Sequence, residues 1–210
     1  MKKFLLFAAL VVAAIMPSAA QFRFGAEAGL NLSHEIGHNP LKPGFSIGAT
    51  GEYNFTNHWA LQTSLSLSSQ PTKSEINWGT IDTGEMHKET VEYTPYYLSI
   101  PLRATYSFNA SQDIRLSVGF GPQIGVGLFG KTSIIDNGKE DAKASYTDIF
   151  NSNSPGCYSN NRFQYGFNAR IGAEIFNNYT VSLNYSLMHN CGSMASHDVG
   201  ILGLSVGYKF

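Results

Sequence analysis

The sequence predicts an all-β protein: an eight-stranded antiparallel up-and-down transmembrane β-barrel, preceded by a cleavable signal peptide. Three observations predict it. The chain opens with an export-type segment, about eight stretches alternate apolar and polar residues, and the connections between them alternate long and short.

The opening segment comes first. Lys2 and Lys3 form a basic start, and Phe4 to Met16 form an apolar run too short to cross a bilayer as a helix. Pro17 breaks the run, and Ser18-Ala19-Ala20 reads as a small-residue cleavage site before Gln21. No cysteine stands at the cut, which argues against a lipoprotein signal. Residues 1–20 are therefore expected to be a signal peptide, and residues 21–210 a single barrel domain. After residue 20 no stretch approaches 18 apolar residues. An exported membrane protein without such a helix has one remaining solution, a closed barrel that satisfies every backbone polar group internally. Charged residues make up 14% of the chain against the usual ~25%, and the net charge is −1. That balance gives no basis for a nucleic-acid partner.

The first strand is expected over about 22–33, with Phe22, Phe24, Ala26, Ala28, Leu30 and Leu32 on one face. Ser33 to Pro43 then read as a polar loop whose two prolines end the ladder. The second strand (about 44–55) carries Phe45, Ile47, Ala49, Tyr53 and Phe55, and only Thr56-Asn57-His58 precede the third (about 59–69). Residues 70–91 read as a long polar loop. The fourth strand is Tyr96–Phe108, YYLSIPLRATYSF, with Leu98, Ile100, Leu102, Ala104, Tyr106 and Phe108 alternating against Ser99, Pro101, Arg103, Thr105 and Ser107. Pro101 removes a ladder donor in mid-strand, so a bulge or water-filled gap is expected there. The fifth strand (about 114–128) follows a short turn. Residues 129–161 read as the longest loop, rich in Asn, Ser, Lys and Asp. The sixth strand (about 162–176) is joined to the seventh, which starts at Tyr179, by Asn177-Asn178, residues suited to positive φ. A loop over about 189–197 leads to the eighth, with Leu202, Leu204, Val206, Tyr208 and Phe210 on its apolar face.

In outer-membrane barrels the short turns face the periplasm and the long loops face outside. An even strand count puts both termini on the short-turn side, and the first and eighth strands must pair to close the barrel. Phe22, Phe24, Tyr53, Phe55, Trp59, Tyr106, Phe108, Phe176, Tyr179, Tyr208 and Phe210 cluster near the short turns, as an interfacial girdle would. A sparser upper girdle is expected from Phe45, Tyr93, Tyr96, Phe129 and Phe163.

The stretch YLSIPLRATYSF resembles the hallmark strand of the PorT-like outer-membrane β-barrel family of Bacteroidota, in which a tyrosine-rich start leads into an I-P-L core and an aromatic-x-aromatic close. Phe22 to Asn31 is similar to that family's first strand in its aromatic, glycine and asparagine positions. The resemblance implies one outer-membrane barrel; one branch of the family contributes to a protein-secretion apparatus, and no motif here places the chain in that branch. Leu204 to Phe210, ending in Tyr208 and Phe210, resembles the signal that the barrel-assembly machinery reads from a last strand.

Parity turns Glu27, Glu52, Arg103, Arg115, Arg170 and Glu174 inward, all in the periplasmic half. Three acids and three arginines sum to zero, as a narrow low-dielectric lumen requires, and they are expected to form an ion-paired plug, with Arg103 partnered by glutamates. A gated narrow channel for small solutes is the alternative. Cys157 and Cys191 fall in loops whose strand ends are neighbours, and an exported pair reads as a disulfide, with a free thiol pair as the alternative. His34, His38, His189 and His197 lie in loops brought side by side by closure, but their spacing is too loose to specify zinc. Ser193, Ser196, His189, His197 and Asp198 sit at rim height, where some small barrels modify lipid, yet HNCGSMASHD matches no acyl-transfer motif. The expectation is a non-enzymatic protein of the bacterial outer membrane that needs neither cofactor nor metal. Its expected partners are outer-membrane lipid, the barrel-assembly machinery and envelope or secretion-complex proteins, with the loops at about 70–91 and 129–161 as the surface offered to them.

Overall fold

A computed structural model describes residues 22–37, 41–79, 86–136, 139–140, 150, 160–192 and 197–210. The expected signal peptide, residues 1–20, lies outside them, as do Cys157, His38, Ser193 and Ser196. Among the described residues ten strands form: β1 (Phe22–Glu35), β2 (Lys42–Asn54), β3 (Trp59–Ser69), β4 (Thr72–Gly79), β5 (Met86–Asn109), β6 (Ile114–Asp136), β7 (Lys139–Glu140), β8 (Asn160–Ile175), β9 (Tyr179–Gly192) and β10 (His197–Lys209). Eight of them, β1, β2, β3, β5, β6, β8, β9 and β10, pair antiparallel around a complete circuit. β1 meets β10 from Gly25↔Lys209 to Glu35↔Val199, which leaves no edge in the barrel wall.

The alternation that defines the strands is inverted relative to a soluble sandwich. Leu30 is 72% exposed and Phe120 59%, whereas Ser64 is 4% and Gln164 0%. Following the register from β1 gives an outward row of Leu30, Leu204, Leu183, Ile171, Val118, Tyr106 and Trp59. The next inward row down is Gly29, Ser205, Ser182, Gly172, Ser117 and Ser107. Large apolar side chains thus cover the outside, and small polar rows inside leave room for long side chains from the rows above and below.

At the short-turn end the aromatic girdle is a set of ring contacts. Phe22 lies 5.2 Å from Tyr53, Tyr53 5.0 Å from Phe55, Trp59 5.2 Å from Tyr106, and Tyr208 5.4 Å from both Tyr179 and Phe210. At the other end Tyr96 stacks on Phe129 at 4.6 Å and meets Phe45 at 6.1 Å.

Four features differ from the sequence-based expectation. Residues 72–79 and 86–93 form a β4–β5 hairpin where a polar loop over 70–91 was expected. β6 runs to Asp136 and takes up β7, so the expected 129–161 loop is shortened at its start. β5 and β6 have 24 and 23 residues, well beyond the ~9–11 that span a bilayer, so this sheet stands out past the apolar band on the long-loop side. Beyond the apolar band lipid no longer imposes the alternation that marks membrane strands, which is why its sequence looks like loop. The positive-φ pair is Phe176 (φ 53°) and Asn177 (φ 61°), one residue earlier than expected. Asn178 closes that turn through its N–H to Ile175 O (3.3 Å), and its Nδ2 donates to Lys209 O (2.8 Å).

The fourth concerns Pro101. The register shift lies at Tyr96/Tyr97 against Phe129/Gly127, not at the proline. Across Pro101 the register is unchanged (Thr63↔Leu102, Ser66↔Ser99), but the intervening positions of β3 and β5 are unpaired. A second gap opens beside it, where Leu102 and Arg103 face Pro122 and Gly121. Two prolines on adjacent strands each delete a donor, and the wall draws in: a Cβ on Gly121 would lie 2.0 Å from Leu102 O. Thr63 Oγ1 donates to Pro101 O at 2.8 Å, so a side chain stands in for part of the interrupted ladder.

The inverted pattern makes a direct prediction. Leu204→Arg, on the outward face, is expected to lower stability in lipid by about 2–4 kcal/mol. Urea unfolding from vesicles measures it; a cost no greater than that of Ser205→Ala would contradict the assignment of the outward face to lipid.

Candidate functional site

The lumen is lined by buried polar side chains, and it is stacked in three levels. The lowest is an ion cluster. Lys209, at the end of β10, donates from Nζ to Glu52 Oε2 and Glu174 Oε2, each at 2.7 Å. Arg23 Nη1 donates to Glu174 Oε1 at 2.6 Å, and its Nη2 donates to the carbonyl of Asn177. Gln62 Nε2 adds a longer contact to Glu52 at 3.4 Å. A cavity of about 20 Å³ remains beside this cluster.

Arg170 begins the middle level, donating to Glu27 Oε2 at 2.7 Å. Arg103, 2% exposed, donates from Nη1 to Asn168 Oδ1 at 2.7 Å rather than to a glutamate. Asn168 Nδ2 passes the chain on to Ser186 Oγ (2.8 Å), which donates to Gln123 Oε1 (3.0 Å). A cavity of about 70 Å³ adjoins this chain, with Ser66, Ser99, Arg103, Gln123 and Asn184 in its lining.

Above lies an apolar seal. Met188, Val199 and Ile201 point inward and form a buried cluster. Tyr97 packs edge-on against Phe150 with ring centroids 5.8 Å apart. Phe150 fits because residue 127 is glycine; a Cβ there would lie 2.2 Å from its ring. Asn31 and Ser33 fasten the wall nearby, donating to Ser69 O (3.2 Å) and Pro71 O (2.5 Å).

Five of the six charged residues expected inside sit in these two lower levels: Glu27, Glu52, Arg103, Arg170 and Glu174. Arg115 is set apart: it borders the lower cavity, but its Nη2 donates to Asn57 O in the β2–β3 turn at 3.2 Å. The cations that engage Glu52 and Glu174 are Lys209 and Arg23, neither of which belonged to the expected set. Both alternate with outward aromatics (Tyr208 and Phe210, Phe22 and Phe24), so parity alone would have assigned them inward. The apolar seal was also missed, because Val199 and Ile201 have the opposite parity to the apolar face of β10. Tyr208 and Phe210 face outward. The proposed Cys157–Cys191 disulfide lies outside the described residues, as do Ser193, Ser196 and the side chain of His197. His189 Nδ1 meets Asp198 Oδ1 at 2.7 Å on the outer rim, with side chains 35% and 54% exposed, a solvated pair rather than a sheltered catalytic one.

A model of the outer membrane protein β-barrel domain matches residues 16–189. No curated protein matches the chain. Among solved structures, the Yersinia pestis attachment invasion locus protein Ail, in complex with the heparin analogue sucrose octasulfate, is 13% identical, with 90% of this chain and 98% of that one covered and a TM-score of 0.44. Neisserial surface protein A is 14% identical, with coverage of 90% and 97% and a TM-score of 0.44. The N-terminal β-barrel domain of Pseudomonas aeruginosa OprF is 14% identical, with coverage of 90% and 100% and a TM-score of 0.33. At such distance these likenesses bring no ligand or partner to this chain.

Lys209 bridges two carboxylates, so its loss leaves Glu174 with Arg23 alone and Glu52 with the neutral Gln62 as partner in a buried site. Lys209→Met is expected to cost about 3–5 kcal/mol in equilibrium unfolding. Adding Glu52→Gln should recover part of that loss, and strictly additive costs would show that the two side chains do not interact.

Proposed function

Because the chain belongs to the outer membrane protein β-barrel domain family, which makes it an integral barrel of the outer membrane, we propose that it is a sealed scaffold with a structural or interaction role rather than a channel or an enzyme. The single observation that carries this reading is the three-level closure of the lumen, with ion pairs below, a hydrogen-bonded layer in the middle and Met188, Val199, Ile201, Tyr97 and Phe150 above. An eight-stranded barrel is just wide enough to be filled by its own side chains, and here they leave only cavities of about 70 and 20 Å³. Its only ways to act on other molecules are then its outer wall and its ends. The β4–β5–β6 sheet supports the extracellular end as the active surface, since it carries β5 and β6 past the apolar band on the long-loop side.

Within that family the affiliation we favour is PorT-like, on the strength of the YLSIPLRATYSF strand and the Phe22–Asn31 start. The partners that follow are outer-membrane lipid around the wall, the barrel-assembly machinery at the Leu204–Phe210 strand, and envelope or secretion-complex proteins at the long loops. No cofactor enters this reading.

Reconstitution in planar bilayers tests the sealed lumen: no steady conductance is expected from the wild type, and a stable open level in most insertions would favour the channel alternative. Met188→Ala with Ile201→Ala is expected to introduce brief openings by removing the upper seal. Cross-linking from the 72–93 hairpin in intact cells, followed by mass spectrometry, tests the interaction role. Recovery of the same envelope proteins from a barrel lacking that hairpin would place their contact elsewhere.

A further inference from the structure

The middle of the lumen holds more positive charge than its own carboxylates match. Arg103 and Arg170 share that level with Glu27, and Glu27 is already engaged by Arg170 at 2.7 Å. Arg103 is left with a neutral partner, Asn168. Its Nε and Nη2 are buried and have no hydrogen-bond partner among the described residues, and neither has Ser99 Oγ, four residues earlier on the same inward face. A guanidinium can only donate, so these two N–H-bearing atoms call for an acceptor. Both Arg103 and Ser99 border the cavity of about 70 Å³. By volume that space admits about five water molecules, or one small anion with a partial shell.

We propose that this cavity is a binding site for one small monovalent anion, a halide or a formate-sized carboxylate, held by Arg103 Nε and Nη2 with Ser99 Oγ as a further donor. The anion supplies the negative charge that Asn168 does not, and so completes the charge balance of the mid-lumen. The ladder gaps at Pro101 and Pro122 flank Arg103 on both sides, which places the guanidinium where wall hydrogen bonding is thinnest. Glu27 also borders the cavity, and its pairing with Arg170 is what leaves Arg103 as the attractive charge. The ion cluster below and the apolar seal above make this an internal structural site, filled as the barrel folds, rather than a conduction path.

The test is equilibrium urea unfolding of the full barrel in phospholipid micelles, at ionic strength held constant by exchanging gluconate, too bulky for the cavity, for chloride. The folding constant is expected to rise about tenfold for each tenfold rise in chloride above the dissociation constant. Asn168→Asp places a carboxylate opposite Arg103, at the loss of the Nδ2 donor to Ser186 Oγ, and should abolish this dependence. Arg103→Gln should abolish it too; if that variant does not fold, the wild type and Asn168→Asp decide. Crystals grown in bromide should show an anomalous peak within hydrogen-bond distance of Arg103 Nε or Nη2, and formate titration separates a carboxylate preference from a halide one. A flat chloride response in the wild type, or one that persists undiminished in Asn168→Asp, overturns the proposal.

Discussion

Closure of the sheet on itself is the constraint on which every other feature rests. In hydrocarbon no water is available to a stray N–H or C=O, so each strand must find both its neighbours. The β1–β10 and β5–β6 pairings complete the circuit. Once closed at eight strands, the interior is too narrow for bulk water and too polar, by alternation, to be an apolar core. The interior therefore has to solve a problem that soluble proteins meet only locally, the packing of many charged and amide side chains away from solvent.

The solution is graded along the axis. Where charges are most crowded, at the short-turn end, two cations stand against two carboxylates and Lys209 links both. Burial of such groups is costly, and a bridging geometry that satisfies several donors at once is what makes it tolerable. Higher up, amides and hydroxyls take over, and at the top apolar side chains end the polar column. Rows of Gly and Ser opposite one another make this arrangement fit, because small residues in one row leave the volume that Arg103, Arg170 and Lys209 occupy from the next.

Much of the barrel was legible in the sequence because lipid imposes a strict period of two on every wall strand. The third strand was read with both its ends, Trp59 and Ser69, and the eight-strand circuit with its closing pair. What failed to read were places where that period does not apply. The β4–β5 hairpin extends past the lipid-facing wall, where that period is not imposed, so Thr72 to Gly79 looked like loop. Within the lumen, alternation told which residues point inward but not which of them touch. Reaching across the barrel depends on shear and side-chain length, and it brings Lys209 to Glu52 and Glu174 while Arg115 turns to Asn57 O. Inward apolar residues such as Ile201 are invisible to a rule that equates apolar with outward.

Pro101 shows how a local defect is absorbed by a closed wall. A bulge would have shifted the register of everything beyond it and turned Arg103 toward lipid, since a one-residue slip exchanges the two faces. The register instead holds across the proline, and the lost pairing is taken up by Thr63 Oγ1 and by the close approach of Gly121 to Leu102. The extra residue needed to re-aim the strands is placed higher, at Tyr96/Tyr97, where the barrel gives way to the raised sheet and both Leu128 and Phe129 turn outward. Keeping the defect and the shift apart preserves the inward direction of Arg103, so the most deeply buried charge in the barrel keeps its position across a proline that interrupts pairing without shifting it.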